Sequence, residues 1–329
     1  MTSQPISRRQ LLKQSFCFSA AMLAGNDLLR AADAPSSAGA SHFLMIGDWG
    51  WNDDLQGQTA VAQGMARYVT AAAIKPEALF LLGDNFYGPF KGGTDCPRWK
   101  TQFSDMYPKS TFPGPCHAIL GNHDYDDEPV AKLAAELAYA EAHPGTRWNL
   151  PAKWYRLELT QAGKPLASVL MLDSNYHNKV VSLTPQEKSD QLAWLKAELE
   201  KPSTAPWRVV MGHHPLFSSG AHGDNPEIIT AWDKLFREHQ VHFYFAGHDH
   251  DLQHLEFEGH PTSFVVSGGG GANIREPGKD GRGPFAKGVF GFTHLEVTRE
   301  RFVVRHLDAK CNLLHAFAKL PEGTWSPLS

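Results

Sequence analysis

The chain has 329 residues, 42% of them hydrophobic and 20% charged, with a formal net charge of −4. That length suits one large domain or two smaller ones, and no apolar run reaches the roughly 18 residues of a membrane-spanning helix. A slightly acidic chain with no arginine-rich run or basic stripe points away from nucleic acid. The unusual count is histidine, with 17 residues that all lie at or after His42.

The N-terminus reads as an address. Ser7-Arg8-Arg9-Gln10-Leu11-Leu12-Lys13 is a twin-arginine pattern, followed by the short apolar stretch Ser15–Leu23 and by small-residue sites at Ala32-Asp33-Ala34 and Ala38-Gly39-Ala40. Residues 1–34 are expected to form a signal peptide handled by the twin-arginine export machinery, which carries proteins already folded. The mature protein is then expected in the periplasm or secreted. Cys17 lacks a lipobox, so no stable membrane anchor is expected. Cys96, Cys116 and Cys311 show no Cys-x-x-Cys spacing; a Cys96–Cys116 disulfide and buried free thiols both stay open.

Residues 35–329 read as a single catalytic domain, because no Pro/Ser linker or charge run divides them. A strand at His42–Ile46 leads to a helix at about 56–73, whose Val61, Ala62, Met65, Ala66 and Val69 share one face. A strand at Ala78–Leu82 follows, and then a Gly-, Pro- and aromatic-rich stretch at 88–116 that reads as a surface insertion near a site. The strand His117–Leu120 precedes a helix marked by Val130, Leu133, Leu137 and Ala138. Strands at Trp154–Leu159 and Ala167–Leu172 come next. Thr184-Pro185-Gln186-Glu187 is a capping box with proline at the first helical position, opening a helix with Leu192, Leu195 and Leu199 inward. Strand Arg208–Met211, a helix capped by Asn225 with Ile228, Ile229, Trp232, Leu235 and Phe236 on one face, and strand Val241–Ala246 repeat the alternation. From Thr262 the period shifts toward two, so Phe264–Val266, Phe290–Val297, Phe302–Leu307 and Leu313–Leu320 are expected as an antiparallel tail. Alternation in front and strands behind predict an α/β fold of two packed mixed β-sheets flanked by helices.

Five of these strands end in the same grammar. Leu79–Leu82 runs into Gly83-Asp84-Asn85-Phe86-Tyr87, and Phe43–Ile46 into Gly47-Asp48. Ala118–Leu120 runs into Gly121-Asn122-His123-Asp124, Val209–Met211 into Gly212-His213-His214, and Phe243–Ala246 into Gly247-His248-Asp249-His250. The C-terminal edge of strands is where open α/β sheets collect ligands. One strand-end Asp reads as a turn residue and one His as a satisfied core group, but five polar ends in series point to a metal site. Asp, Asn, Tyr and His are hard to borderline ligands, and without cysteine among them a structural zinc site is disfavoured. A carboxylate such as Asp84 can bridge two ions about 3.5–4 Å apart, a pair that can clamp a phosphate.

In this order, Gly47–Gly50 (Gly-Asp-x-Gly), Gly83–Tyr87 (Gly-Asp-x-x-Tyr), Gly121–Asp124 (Gly-Asn-His-Asp), Val210–His213 (Val-x-x-His) and Gly247–His250 (Gly-His-x-His) resemble the calcineurin-like metallophosphoesterases. Specifically they resemble the purple acid phosphatase branch, in its small tartrate-resistant, mammalian-type form. Many metallophosphoesterases carry His where Gly50 stands; here Tyr87 is available as the substitute. Ala221-His222-Gly223 and Gly247–Gln253 strengthen the likeness, which covers about residues 42 to 275. It implies the four-layer αββα sandwich and a ferric site of Asp48, Tyr87, His250 and bridging Asp84. A divalent site of Asp84, Asn122, His213 and His248 would hold Fe(II), Zn(II) or Mn(II). It implies a tyrosinate–Fe(III) colour, and attack by metal-bound hydroxide at acid pH on phosphomonoesters, including phosphorylated proteins or nucleotides as substrates. His123 and His222 are implied to orient the phosphate and protonate the leaving group. His214 stands where the mammalian-type enzymes carry Tyr and is expected as a neutral, hydrogen-bonded imidazole beside the site. Asp124 and Asp173 are expected either to hold ligands in place or to cap loops, and Gly268–Gly271 to line the site. The alternatives are a metallophosphodiesterase with two divalent ions, a peroxide-generating di-iron protein, and a metal-bearing binder without turnover.

Overall fold

The computed structural model describes residues 39–126, 129–176, 183–278 and 282–328. The expected signal peptide and its cleavage site lie outside them. Fifteen strands are described, in chain order β1 (Ser41–Ile46), β2 (Ala78–Leu81), β3 (Cys116–Ala118), β4 (Trp148–Asn149), β5 (Tyr155–Gln161), β6 (Lys164–Met171), β7 (Trp207–Met211), β8 (Phe243–Ala246), β9 (Leu252–Leu255), β10 (Ser263–Ser267), β11 (Phe285–Lys287), β12 (Gly291–Val297), β13 (Phe302–Asp308), β14 (Leu313–Lys319) and β15 (Trp325–Pro327). They form an eight-stranded sheet ordered β15-β14-β13-β12-β1-β2-β3-β4 and a seven-stranded sheet ordered β11-β9-β10-β8-β7-β6-β5.

Both sheets are mixed, as expected. In the first, β1 to β4 run parallel, while β12 pairs antiparallel with β1 and continues into β13, β14 and β15. In the second, β6, β7, β8 and β10 are parallel neighbours. The parallel strands are apolar on both faces, as strands covered on two sides must be. Phe43, Phe80, Ala118, Val209, Phe243, Val265 and Phe302 share one core cluster, so the two sheets are packed on each other. A second cluster, with Leu195, Leu199, Trp232, Phe236 and Tyr244, fills the space between the seven-stranded sheet and its outer helices.

The helices follow their sequence signals. Helix α1 (Gln56–Ala71) buries Val61, Ala62, Met65 and Val69, and α2 (Pro129–Ala142) follows β3. In α3 (Pro185–Glu200) the Thr184 hydroxyl accepts from the Glu187 N–H while the Glu187 carboxylate accepts from the Thr184 N–H. A last helix spans 226–238, α-helical at Pro226–Ile228 and Lys234–Glu238 with a π-turn at Ile229–Asp233.

Three expectations are corrected. Phe264–Val266 is not in an antiparallel tail: β10 lies inside the second sheet, parallel to β8 and antiparallel to β9. Leu192 does not face inward but is 36% exposed, because Gln191 takes the inward position and exchanges hydrogen bonds with the backbone N–H and C=O of Asp173. One residue along, Leu192 is rotated about 100° away. The stretch 88–116 is no surface insertion, since Trp99, Phe103, Tyr107 and Phe112 are all buried. Trp99 stacks on Tyr139 at 3.6 Å and meets Phe86 at 4.8 Å, because large aromatic surface is expensive to leave in water. Of the two readings for cysteine, Cys96 and Cys116 are buried free thiols, and Cys311 is also free.

Candidate metal centre

The parallel strands of both sheets end on one side, and the polar ends converge there. Asp48, Asp84 and His248 each follow a glycine and adopt left-handed backbone angles, with φ of 58°, 49° and 68°. That conformation is costly for residues with a Cβ, and here it turns three side chains off their strands into one space. The glycines allow the closest approaches. A Cβ on Gly121 would lie 2.2 Å from Asp84 Oδ1, and one on Gly247 2.6 Å from Asp48 Oδ2. At position 50 a Cβ would stand 1.8 Å from the Asn85 carbonyl oxygen, so this backbone has no room for a side chain there.

Two groups of donor atoms result. Asp48, Asp84 and His250 place ligand atoms within 4.8 Å of one another. The Tyr87 hydroxyl joins them, 3.1 Å from Asp48 Oδ1 and 3.1 Å from His250 Nε2. His213, His214 and His248 form the other group within the same limit. Asn122 Oδ1 lies 3.2 Å from His213 Nε2, and His248 Nδ1 lies 3.3 Å from that same nitrogen. Asp84 belongs to both, since its Oδ2 is 3.4 Å from His213 Nε2. All seven ligand residues expected from the sequence are thus brought together. His214, expected as a neighbour, also contributes a donor atom to the second group; its Nδ1 meets the Ser174 hydroxyl at 2.9 Å, and the doubled His213-His214 was the signal for it.

Backbone carbonyls fix which ring nitrogens face inward. His213 Nδ1 donates to Leu82 O at 2.8 Å and His250 Nδ1 to Asn273 O at 2.7 Å. Each Nε2 is thereby the nitrogen directed into the site, the usual arrangement of a metal-ligating histidine.

The electrostatics leave room for cations. Asp48, Asp84 and Tyr87 are 0%, 1% and 4% exposed. The described contacts to the two carboxylates come from Tyr87, histidines and backbone N–H groups, with no Lys or Arg among them. Burial, with the Asp84 charge adding to it, pushes the Asp48 carboxyl well up. Burial also pushes the Tyr87 phenol well up, and both carboxylates push it further. For Asp84 burial acts in the same sense, but the His213 imidazolium overrides it and holds the carboxyl well down; His213 is correspondingly raised to about 10 against the opposing effect of burial. His248 and His250 are pushed down by burial, His250 to about 4, and so keep free lone pairs. Two buried carboxylates, a phenol and imidazole nitrogens, with no Lys or Arg among their described contacts and only the His213 proton, which a metal ion would displace, as balancing charge, fit a pair of metal ions.

Outside the ligand set, the His123 backbone N–H donates to Asp84 Oδ1 at 2.8 Å and its ring lies 4.3 Å from that of Tyr87. His222 lies over His248 with ring centroids 4.1 Å apart, and its Nδ1 is 2.8 Å from Asp249 Oδ1. Asp124 shapes a loop and touches no ligand side chain: its carboxylate accepts from the N–H groups of Asn85, Phe86 and Gly121. Asp173 accepts from Tyr125 and from Asn175, whose amide donates to Leu120 O and Gly121 O behind Asn122. Gly270 N–H donates to Gly47 O and Ala272 N–H to Asp48 O, so the glycine run does line the site.

Two cations that sequence reasoning missed hold the Tyr87 segment. Lys132 Nζ, buried, donates to Phe86 O, Gly88 O and His123 O. Arg98 donates to Tyr87 O, Pro89 O and Gly50 O. Four consecutive carbonyls, 86 to 89, are therefore each bound by a cationic side chain. No local pattern marks either residue, because their partners are backbone atoms distant in sequence.

Comparison with known proteins gives a consistent result. A family model described as calcineurin-like phosphoesterase matches residues 41–252. Purple acid phosphatase 4 of Arabidopsis thaliana is 28% identical over 308 residues, covering 88% of this chain and 86% of its own. Tartrate-resistant acid phosphatase type 5 of Sus scrofa is 29% identical over 306 residues, covering 85% and 86%. Among solved structures, GAP50, the anchor in the inner membrane complex of Plasmodium, superposes with a TM-score of 0.72 at 21% identity, over 84% of this chain and 87% of that one. A purple acid phosphatase from yellow lupin (Lupinus luteus) seeds does so at 0.65 and 16% identity, over 87% and 54%. The two structural likenesses speak to the fold.

Proposed function

The chain belongs to the calcineurin-like phosphoesterase family, and from that premise we propose that it is a binuclear acid phosphatase of the purple type, acting on phosphomonoesters. The observation that carries this reading is the Tyr87 hydroxyl, 3.1 Å from both Asp48 Oδ1 and His250 Nε2, beside a position 50 that has no space for a histidine. The relatives named as purple and tartrate-resistant acid phosphatases support it.

Asp48, Tyr87, His250 and Asp84 would hold Fe(III), and Asp84, Asn122, His213 and His248 a divalent Fe, Zn or Mn ion. When bound, such a pair supplies Lewis acidity toward phosphoryl oxygens and a nucleophile available at low pH. The chain's own residues do the rest. Asp84 sets the separation of the two donor groups because it belongs to both. Asp249 accepts from His222 Nδ1, so that Nε2 is the nitrogen that faces substrate; in the imidazolium form of the ring Nε2 carries the second proton and passes it to the leaving alkoxide. His123, anchored on Asp126 at 2.7 Å, flanks the phosphate from the Tyr87 side.

The test is one spectrum with metal analysis. Purified protein is expected to hold iron and show a visible tyrosinate band that Tyr87→Phe abolishes while the fold persists. A colourless active protein holding only zinc or manganese would move the assignment to a phosphodiesterase. The same proposal includes export before catalysis, supported by Ser7–Lys13. Replacing Arg8 and Arg9 with lysine should abolish export of the folded enzyme, and unchanged export would remove the twin-arginine reading.

A further inference from the structure

Arg275 occupies the mouth of the site and has no role in the ligand set. Its backbone N–H donates to His250 O at 3.2 Å, and three residues earlier Ala272 N–H donates to Asp48 O at 2.9 Å, so its loop is tied to two of the metal-ligand segments. Its Nη1 stands 2.8 Å from His222 Nε2 and 3.3 Å from Nδ1. With Asp249 accepting from Nδ1, Nε2 is the lone pair, and the guanidinium donates to it. Arg275 therefore covers the nitrogen that must face substrate. Among the described contacts its guanidinium meets the His222 ring and no carboxylate, whereas Arg282 nearby is paired with Asp224. A half-buried arginine with most of its five donors unspent among the described residues, at the rim of a site for anions, is built to receive oxygens.

We propose that Arg275 binds the phosphoryl oxygens of the substrate, leaving His222 Nε2 free for the leaving group, and that it favours phosphomonoester dianions over diester monoanions. The proposal rests on the phosphatase reading above. A monoester presents three non-bridging oxygens and two negative charges; a diester presents two oxygens and one charge. A charge-assisted, forked contact gains more from the former, and more still as charge builds on the equatorial oxygens in the transition state.

The experiment uses the metal-loaded full-length enzyme, with inorganic phosphate as the probe. Arg275→Ala is expected to keep both ions and the visible band, to weaken competitive inhibition by phosphate about tenfold, and to lower kcat/KM about 10²-fold for a monoester but only about tenfold for a diester. Arg275→Lys is expected to recover part of the phosphate affinity. The loss in phosphate affinity should persist when Arg275→Ala is made in a His222→Ala background. Phosphate inhibition unchanged in Arg275→Ala would overturn the proposal. So would an effect that vanishes in the His222→Ala background, which would mean that Arg275 acts only by holding His222, and so would loss of the ions in both variants. Failure of the phosphatase reading itself shows separately, in wild-type protein that neither binds phosphate nor cleaves a monoester.

Discussion

Two populations of histidine can be set side by side in this molecule. At the strand ends, His213 and His248 follow glycines, with His214 and His250 just beyond them, and the four direct ring nitrogens into the two neighbouring donor groups. Inside the strands, His42 and His294 face each other at 3.1 Å, His294 meets the Tyr68 hydroxyl at 2.9 Å, and His254 pairs with His315 at 3.0 Å. Both sets are largely buried. In the strand set the ring partners named are other imidazoles and a phenol, and the one carboxylate, Glu256, lies 2.8 Å from His254 Nε2 on a single histidine. The strand-end set is surrounded by Asp48, Asp84 and Tyr87, buried oxygen donors with no Lys or Arg among the described contacts of the two carboxylates. The same residue type becomes a structural hydrogen-bonding group or a ligand according to whether its strand has ended.

Changes at five positions would break or sharpen that contrast. The largest effect is expected at the carboxylate common to both donor groups. Asp84→Asn should lose both ions, measured by metal analysis after dialysis, and about 10⁴-fold or more in kcat/KM, as for residues that act as a unit. Retention of one ion at full occupancy would show that the groups are independent.

Next comes the histidine at the rim that is no ligand. His222→Ala should keep both ions and the band and lose about 10²–10⁴-fold in rate, more on alkyl than on activated aryl phosphates, because a phenolate leaves with less need of a proton. Asn122→Ala should instead weaken the divalent ion and depress both substrates alike. Equal losses in the metal-replete His222→Ala enzyme would remove the proton-donor role.

A smaller effect is expected beneath the site. Lys132→Met deletes the donor to Phe86 O, Gly88 O and His123 O, loosening Tyr87 and His123 together. Metal affinity should fall about 10–100-fold with a shifted visible band, and Lys132→Arg should restore some of it. An unshifted band with normal metal retention would leave Lys132 a purely structural cation.

The smallest effect tests the strand population. His117, buried in β3, accepts from Asn149 Nδ2 at 2.8 Å, and burial lowers its pKa to about 4. The unfolded chain takes up that proton near 6.5 and the folded protein near 4, so stability is intact above about 6.5 and falls with pH between the two values. The loss is about 1.4 kcal/mol per pH unit, or roughly 2 kcal/mol at pH 5. Replacement by glutamine, which keeps an acceptor for Asn149, should remove this dependence. Urea midpoints for wild type and His117→Gln at pH 7 and pH 5 decide it: a constant difference between the two proteins would show that His117 is protonated as readily in the fold as outside it.

Much of this was legible in the chain. The apolar runs ending in Gly-Asp, Gly-Asn or Gly-His marked the parallel strands, because period and composition are local properties. They also marked the seven candidate ligand residues, because Asp48, Asp84, Asn122, His213 and His248 each stand directly after the glycine that ends a strand, and Tyr87 and His250 follow in the same short motifs. The Thr184 and Asn225 caps were read for the same reason. What the sequence could not settle depends on partners far along the chain. Phe264–Val266 joins the second sheet and not the antiparallel tail, because a strand's own residues do not say whether β8 or a later hairpin will pair with it. The aromatics of 99–112 looked like loop residues until Phe86, Tyr139 and Trp148 closed around them. Lys132, Arg98 and Arg275 carry no motif at all; each acquires its role from backbone carbonyls or an imidazole that only the packed sheets bring within reach. Local chemistry determined which residues could serve the site, and tertiary packing decided which cations would hold it and face its substrate.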